Sequence, residues 1–192
     1  MPSLSMRASS FDNEGPVTES DKSESSRSCK AIKVSEKTAC NDVPVLRRAA
    51  MDYLARREHS LFELEQKLNK KFPEAEAKLL LEVLEALKSE NLQSDERFTE
   101  SYIRYRKSRG FAYLHIKADL AGRRVSDSLI AKHLLIDDED WQLKAEQLVA
   151  KKLHHQAPLS FGSKLHRKLA RFLKSRGFVA TDIHKALEKH LV

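Results

Sequence analysis

Apolar side chains along this chain recur at helical intervals, and the same set of intervals is used three times. Counted back from Arg57, Arg109 and Arg176, the positions eleven before are Leu46, Phe98 and Leu165, and those seven before are Ala50, Tyr102 and Leu169. Four before stand Tyr53, Tyr105 and Phe172; seven after stand Leu64, Ile116 and Ile183; eleven after stand Leu68, Leu120 and Leu187. Backward steps of 4, 7 and 11 trace one stripe of an α-helix, and the forward pair traces one stripe of a second. Each copy therefore predicts a helix, a corner and another helix, with Tyr53, Tyr105 and Phe172 in its buried seam. The corner is spelled Arg109-Gly110-Phe111 in the second copy and Arg176-Gly177-Phe178 in the third. Glycine there can adopt the left-handed conformation that ends a helix, and the aromatic after it can fold back on the last turn. The first copy has Glu58-His59-Ser60 in those slots, so Ser60 is expected to cap the next helix, with Glu63 completing a capping box.

Further apolar periods fill out the units. Pro73 suits the first turn of a third helix over about 74–90, where Ala77, Leu80, Leu81, Leu84 and Leu87 repeat at helical spacing. The second copy begins at Ser94 or Asp95 and predicts helices near 95–109, 112–122 and 126–136, with Gly122 closing the middle one. The anchors are 52 residues apart in the first interval and 67 in the second. The excess falls on 140–156, an added helix with Trp141, Ala145, Leu148 and Val149 on one side. The last copy supplies two helices with no third to follow them. The expected fold is all-α, an elongated array of tandem three-helix repeats: a Ser-rich disordered tail over 1–42, then repeats over 43–93, 94–138 and 139–192. The tail assignment rests on ten serines and the lack of any sustained period.

Composition narrows the function more than the fold. The formal charge is +7, and beyond residue 42 there are 29 basic against 21 acidic side chains, so the basic character belongs to the repeats and favours anionic partners. No apolar run approaches the length of a membrane span, and no secretory signal is legible, so a cytoplasmic, membrane-free protein is expected. Cys29 and Cys40 form neither a C-x-x-C pair nor a disulfide framework. Phosphate-loop, dinucleotide and H-E-x-x-H motifs are missing, the adjacent His154 and His155 face different directions on a helix, and the Asp137 to Asp140 run reads as helix capping. Neither an enzyme nor a bound cofactor or metal is expected.

The charged feature with the clearest pattern is the helix that opens the last copy. Lys164, Arg167, Lys168, Arg171 and Lys174 occupy one side and Leu165, Leu169, Phe172 and Leu173 the other. Between Gln147 and Thr181 there are eight Lys/Arg and no carboxylate, so this stripe needs an external anion or acids from elsewhere in the fold. A second basic group comprises Arg104, Arg106, Lys107 and Arg109, with Arg123 and Arg124 after the next helix. Arg106 takes the slot held by Leu54 and Leu173 in the sister copies. It reads either as a cation offered to a partner or as an arginine whose stem packs and whose head finds a carboxylate. Arg57, Arg109 and Arg176 fit a structural role near a helix C-terminus, where a cation offsets the dipole.

These residues resemble the RecX family, regulators of the RecA recombinase. Leu54-Ala-Arg-Arg57-Glu-His59-Ser60 with Glu63-Leu64 and Lys67-Leu68 is similar to the family's opening block. Leu92, Asp95, Arg97-Phe98, Tyr102-Ile103, Arg106, Gly110-Phe111, Ile116 and Leu120 resemble its central one, and Phe172-Leu173 with Arg176-Gly177-Phe178 and Ile183 its closing one. The likeness runs over about 46–190; it departs at Ala112-Tyr113, where the family has Gly-Pro, and in the Ser-rich extension. It implies a monomeric cytoplasmic protein that lies in the groove of the RecA filament on single-stranded DNA and inhibits ATP hydrolysis and strand exchange in recombination and the SOS response. Lys164, Arg167, Lys168, Arg171, Lys174, Arg104, Arg106, Lys107, Arg123 and Arg124 are the candidate contacts to RecA or DNA, direct DNA binding being secondary and weak. The alternative is a stand-alone helix-turn-helix-like DNA-binding protein using the same basic helices.

Overall fold

The computed structural model describes residues 42–153 and 159–192. The Ser-rich tail and the His154-His155 pair lie outside the described residues. Within them the chain forms α1 (Val43–Leu54), α2 (Leu61–Lys71), α3 (Ala77–Ser89), α4 (Asp95–Ser108), α5 (Tyr113–Gly122), α6 (Asp127–His133), α7 (Asp140–Leu153), α8 (Lys164–Ser175) and α9 (Ala180–Glu188). There is no strand among the described residues, only an isolated bridge between Leu159 and Leu191. The architecture is the expected all-α array of three-helix repeats.

Serine starts four of the helices in one way. The hydroxyls of Ser60, Ser94, Ser126 and Ser163 accept from the backbone N–H of Glu63, Arg97, Leu129 and His166 respectively, at 3.1–3.4 Å. The capping box expected at Ser60 stays half-made, because the Glu63 carboxylate turns to Arg123 and Arg57. The helix ends also share one device. At the ends of α3, α4, α5 and α8, two backbone bonds fold the chain back, as in Phe111 N–H to Arg106 O and Gly110 N–H to Lys107 O, both 3.1 Å. The left-handed residue that permits this is Asn91, Gly110, Arg124 and Gly177 in turn. Gly122 is thus the last residue of α5 and not its terminator; Arg124, at φ 55°, takes that part. Pro73 lies in a turn before α3, which starts at Ala77 once Glu76 has left the helical region.

Two hydrophobic cores result. Leu46, Ala50, Leu64, Leu68, Leu84 and Leu87 fill the first, between α1, α2 and α3. The second is continuous through the remaining helices, from Phe98 and Ile116 by way of Trp141 and Ala145 to Leu173, Phe178 and Leu187. Here two expectations are corrected. The third repeat does not lack a third helix: α7 packs against α9, so the added helix fills the vacancy from the N-terminal side. Tyr105 is not in the seam but 55% exposed; Tyr102, one turn earlier, is buried with Phe98, their ring centroids 5.4 Å apart. The buried stripe of α4 runs through Phe98, Thr99, Tyr102 and Ile103, and Arg106, four residues after Tyr102, reaches its carboxylate on α5. Tyr53 and Phe172 are half-buried against their cores.

The joints between repeats differ in kind. From α4 to α8 the two Arg-Gly-Phe corners interlock: Ala112 N–H donates to Arg176 O at 2.8 Å and Leu114 N–H to Gly177 O at 3.0 Å. A Cβ on Gly177 would meet the backbone nitrogen of His115 at 2.3 Å, so only glycine lets the corners approach so closely. The joint between the first repeat and the second is polar. Asp95 Oδ1 accepts from Leu61 N–H and from Gln93 Nε2, both at 2.8 Å; Gln93 Nε2 also donates to His59 O; Arg97 Nε donates to Glu58 at 2.9 Å. His59, Ser60 and Gln93 are buried there.

Candidate functional site

The central basic group is spent largely inside the molecule. Arg106 Nε donates to Asp119 Oδ2 at 2.8 Å, its Nη2 joins the same oxygen, and Tyr102 Oη donates to it at 2.8 Å. Burial works to raise the Asp119 carboxyl, but the hydrogen bonds from Arg106 and Tyr102 outweigh it and hold the group below the usual carboxylate range. The Arg106 guanidinium also lies 4.4 Å from the Phe111 ring centroid, and that of Arg176 lies 4.5 Å from the same ring, whose face carries the stacked imidazole of His115. Lys107 pairs with Asp138 and caps the Trp141 ring at 4.3 Å, tying α4 to the start of α7. Arg123 donates to Glu63 Oε1 and Asp119 O, both at 2.7 Å, and lies over Tyr102 at 4.6 Å. Arg124 lies over Phe62 at 4.3 Å. Of this group Arg104 and Arg109, both exposed, have side chains with no partner in the fold among the described residues.

On α8 the arrangement is the reverse. Leu169 and Leu173 are buried, and Lys164, Arg167, Lys168, Arg171 and Lys174 are all exposed. Among the described residues none of the five meets a carboxylate; the one bond on this side runs from Arg171 Nε to Arg167 O at 3.3 Å. The free cationic stripe read from the sequence thus exists as a surface. The residues at the ends of α4 and α8 keep to structure: Arg109 and Arg176 are C-caps, and Arg176 Nη1 donates to Arg109 O at 3.2 Å. Arg57 lies beyond α1 and reaches Glu63 at 3.0 Å.

Sequence reasoning missed Asp119, although a signal was present: it is the only carboxylate between Gly110 and Ser126, and an arginine in an apolar slot requires one. It also missed the cluster of Glu96, Glu100 and His133, whose ligand atoms lie within 4.8 Å of one another. His133 turns Nε2 to Glu96 at 3.1 Å and Nδ1 to Glu100 at 3.5 Å, and Lys132 takes Glu96 at 2.5 Å, so both carboxylates already have partners within the fold. Lys132 first and His133 second hold the Glu96 carboxyl below its ordinary value.

Tandem three-helix units define a helical-repeat protein, and among the described residues the α8 cations form an open face of it. Family models match two stretches: that of the RecX second three-helix domain over residues 94–134, and that of the RecX first three-helix domain over 47–84. A regulatory protein RecX of Pseudomonas entomophila is 37% identical over 151 residues, covering 78% of this chain and 95% of the relative. One from Pseudomonas savastanoi pv. phaseolicola is 35% identical over 147 residues, covering 76% and 92%. The chain belongs to the RecX family. The crystal structure of RecX from Lactobacillus salivarius shares the fold with a TM-score of 0.62 at 21% identity, over 77% of this chain and 95% of that one. A second crystal structure of regulatory protein RecX gives 0.64 at 16% identity, over 87% and 80%. No helix among the described residues is long and apolar enough to cross a membrane.

Proposed function

We propose that this protein binds the RecA nucleoprotein filament on single-stranded DNA in the cytoplasm and restrains its ATP hydrolysis and strand exchange, acting by occupancy and not by chemistry. Family membership supplies the regulatory context, and the curated relatives carry the name regulatory protein RecX. The observation that carries the reading is the α8 face, five exposed cations with no internal counterion among the described residues. An array of packed helix units offers a long surface, and a cationic one suits an acidic protein groove that also holds DNA. Lys164, Arg167, Lys168, Arg171 and Lys174 are the contacts, with Arg104 added from α4. Arg106, Lys107 and Arg123 hold the repeats in the shape that presents them.

The test is the triple reversal Lys164→Glu, Arg167→Glu and Arg171→Glu, none of which touches a core. The variant is expected to keep the circular dichroism of the parent and to lose inhibition of RecA-dependent ATP hydrolysis. Inhibition equal to the parent's would reject the α8 face as the contact.

A further inference from the structure

Three large apolar side chains that the fold leaves in water stand close together. Leu135 and Ile136, before α7, and Leu143, on it, are 46–60% exposed. Ile136 and Leu143 line, with Val179 just before α9, a hollow of about 650 Å³ between α7 and α9. Its rim is acidic, with Asp137, Asp138, Glu139, Glu146 and Asp182 against one cation, Lys185. Asp138 accepts from Asp140 N–H at 3.0 Å and pairs with Lys107, and Glu146 pairs with Lys189. Asp137, Glu139 and Asp182 form no ion pair among the described residues. Helix capping thus leaves part of the Asp137 to Asp140 run without an assignment. Below the rim Gln142 Oε1 is buried and accepts no hydrogen bond among the described residues, while Gln142 Nε2 donates to Glu146 at 2.9 Å. A long cationic side chain entering the hollow would supply the missing donor.

The opposite composition stands on the same core. α8 offers five exposed cations and no carboxylate, and at its head is Phe161, 75% exposed, its ring centroid 5.1 Å from that of His166. Because α7, α8 and α9 share one core, the two surfaces are fixed on it, and none of the five cations meets a carboxylate of its own chain among the described residues. Exposed apolar groups rimmed by charge mark a surface that takes a partner. We propose that the partner is a second copy of this chain, the α8 face and Phe161 of one molecule seating on the acidic, apolar hollow between α7 and α9 of the next. Charge sets the pairing and the exposed apolar side chains of both surfaces cover one another. Pairing α8 with α8 would set like charges together, so the contact is head to tail and leaves one unused surface at each end of the assembly. Held largely by exposed charge, it is weak, and it parts on dilution and in salt. It occupies the cations that the proposed filament contact uses, but it rests on the two surfaces and not on that reading.

Sedimentation velocity of the full chain, with neither recombinase nor nucleic acid present, tests the contact. At about 0.01 M salt, where charges act over about 30 Å, the sedimentation coefficient of the parent is expected to rise with protein concentration; at about 1 M salt it is expected to hold the monomer value. The α8 variant Lys164→Glu, Arg167→Glu, Arg171→Glu and the hollow variant Asp137→Lys, Glu139→Lys should each stay monomeric alone. Their equimolar mixture should associate, because each supplies the surface that the other lacks, and that recovery shows both to be folded. Phe161→Ala added to the hollow variant, which supplies α8, should weaken the mixed complex about tenfold, the scale of one phenylalanine losing its burial. A parent that stays monomeric at every concentration in low salt, a mixture that does not associate, or a mixed complex indifferent to Phe161→Ala would overturn the inference. A hollow variant that associates as the parent does would overturn it too and leave the hollow to a basic segment of another protein. Inhibition of the recombinase by the α8 variant judges the filament reading separately.

Discussion

Replacing Gly177 by alanine tests the interlocked corners directly, because Gly110 in the sister corner is a matched control. Both glycines are left-handed, at φ 89° and 75°, so alanine at either costs about 1–2 kcal/mol in backbone conformation. Their surroundings differ. A Cβ at 110 would meet only the end of the Leu148 side chain, at 3.4 Å, which is ordinary contact. A Cβ at 177 would meet His115 at its backbone nitrogen, Cβ and Cα, at 2.3, 2.6 and 3.0 Å. Relief requires the α5 start to retreat from α8, which stretches the bonds from Ala112 and Leu114 across the joint, each worth about 1 kcal/mol net. With overpacking of about 1–3 kcal/mol added, Gly177→Ala should cost about 3–5 kcal/mol against about 1–2 for Gly110→Ala. Urea titration followed by Trp141 fluorescence reads the right core, since this sole tryptophan is buried in the half of the molecule that contains both corners. Equal losses for the two variants would refute the close approach of the corners.

Two further predictions concern pH. Burial first, and then its hydrogen bond to Asp119, pushes the Tyr102 phenol up to about 12, so its contribution to stability is complete below its ordinary value of 10.0 and is lost as pH rises from there through about 12. Spectroscopic titration of the four tyrosines should therefore show one late phenolate that vanishes in Tyr102→Phe, a variant expected to lose about 1.5–3 kcal/mol at neutral pH with its bond to a carboxylate; four phenolates titrating together would refute this. At the first joint, burial and then the Arg57 charge hold the His59 imidazole below its ordinary 6.5, with Glu63, Lys67 and the Arg57 carbonyl as its other polar surroundings. Its contribution is whole above 6.5 and is lost as pH falls through the depressed value, so urea midpoints should drop on mild acidification in the parent and much less in His59→Gln; parallel pH profiles would count against it.

How much was legible in the sequence follows from which interactions are local. Stripes at 4, 7 and 11, serine caps three residues before their partners, and Gly-Phe corners all act within a turn or two, and they specify the helices and the free side of α8. Assignments that need a partner from another helix were out of reach. Tyr105 and Tyr102 both fall on the periodic stripe, and only the packing of α4 against its neighbours shows that Tyr102 is buried and Tyr105 is not. The added helix over 140–153 could be found by its period, but its place beside α9 is a long-range fact. Lys107 and Arg123 look as free as Lys164 or Arg167 when carboxylates are sought only nearby in sequence, since Glu63 lies 60 residues from Arg123 and Asp138 lies 31 from Lys107.

The two joints hold the molecule together by different forces. Apolar area carries α4 through α9 as a single body, whereas the first repeat is attached by polar and charged contacts, those around Ser60, Gln93 and Asp95 together with Arg97–Glu58 and Arg123–Glu63. Conditions that weaken charged and polar pairs are therefore expected to loosen that attachment before they disturb either core.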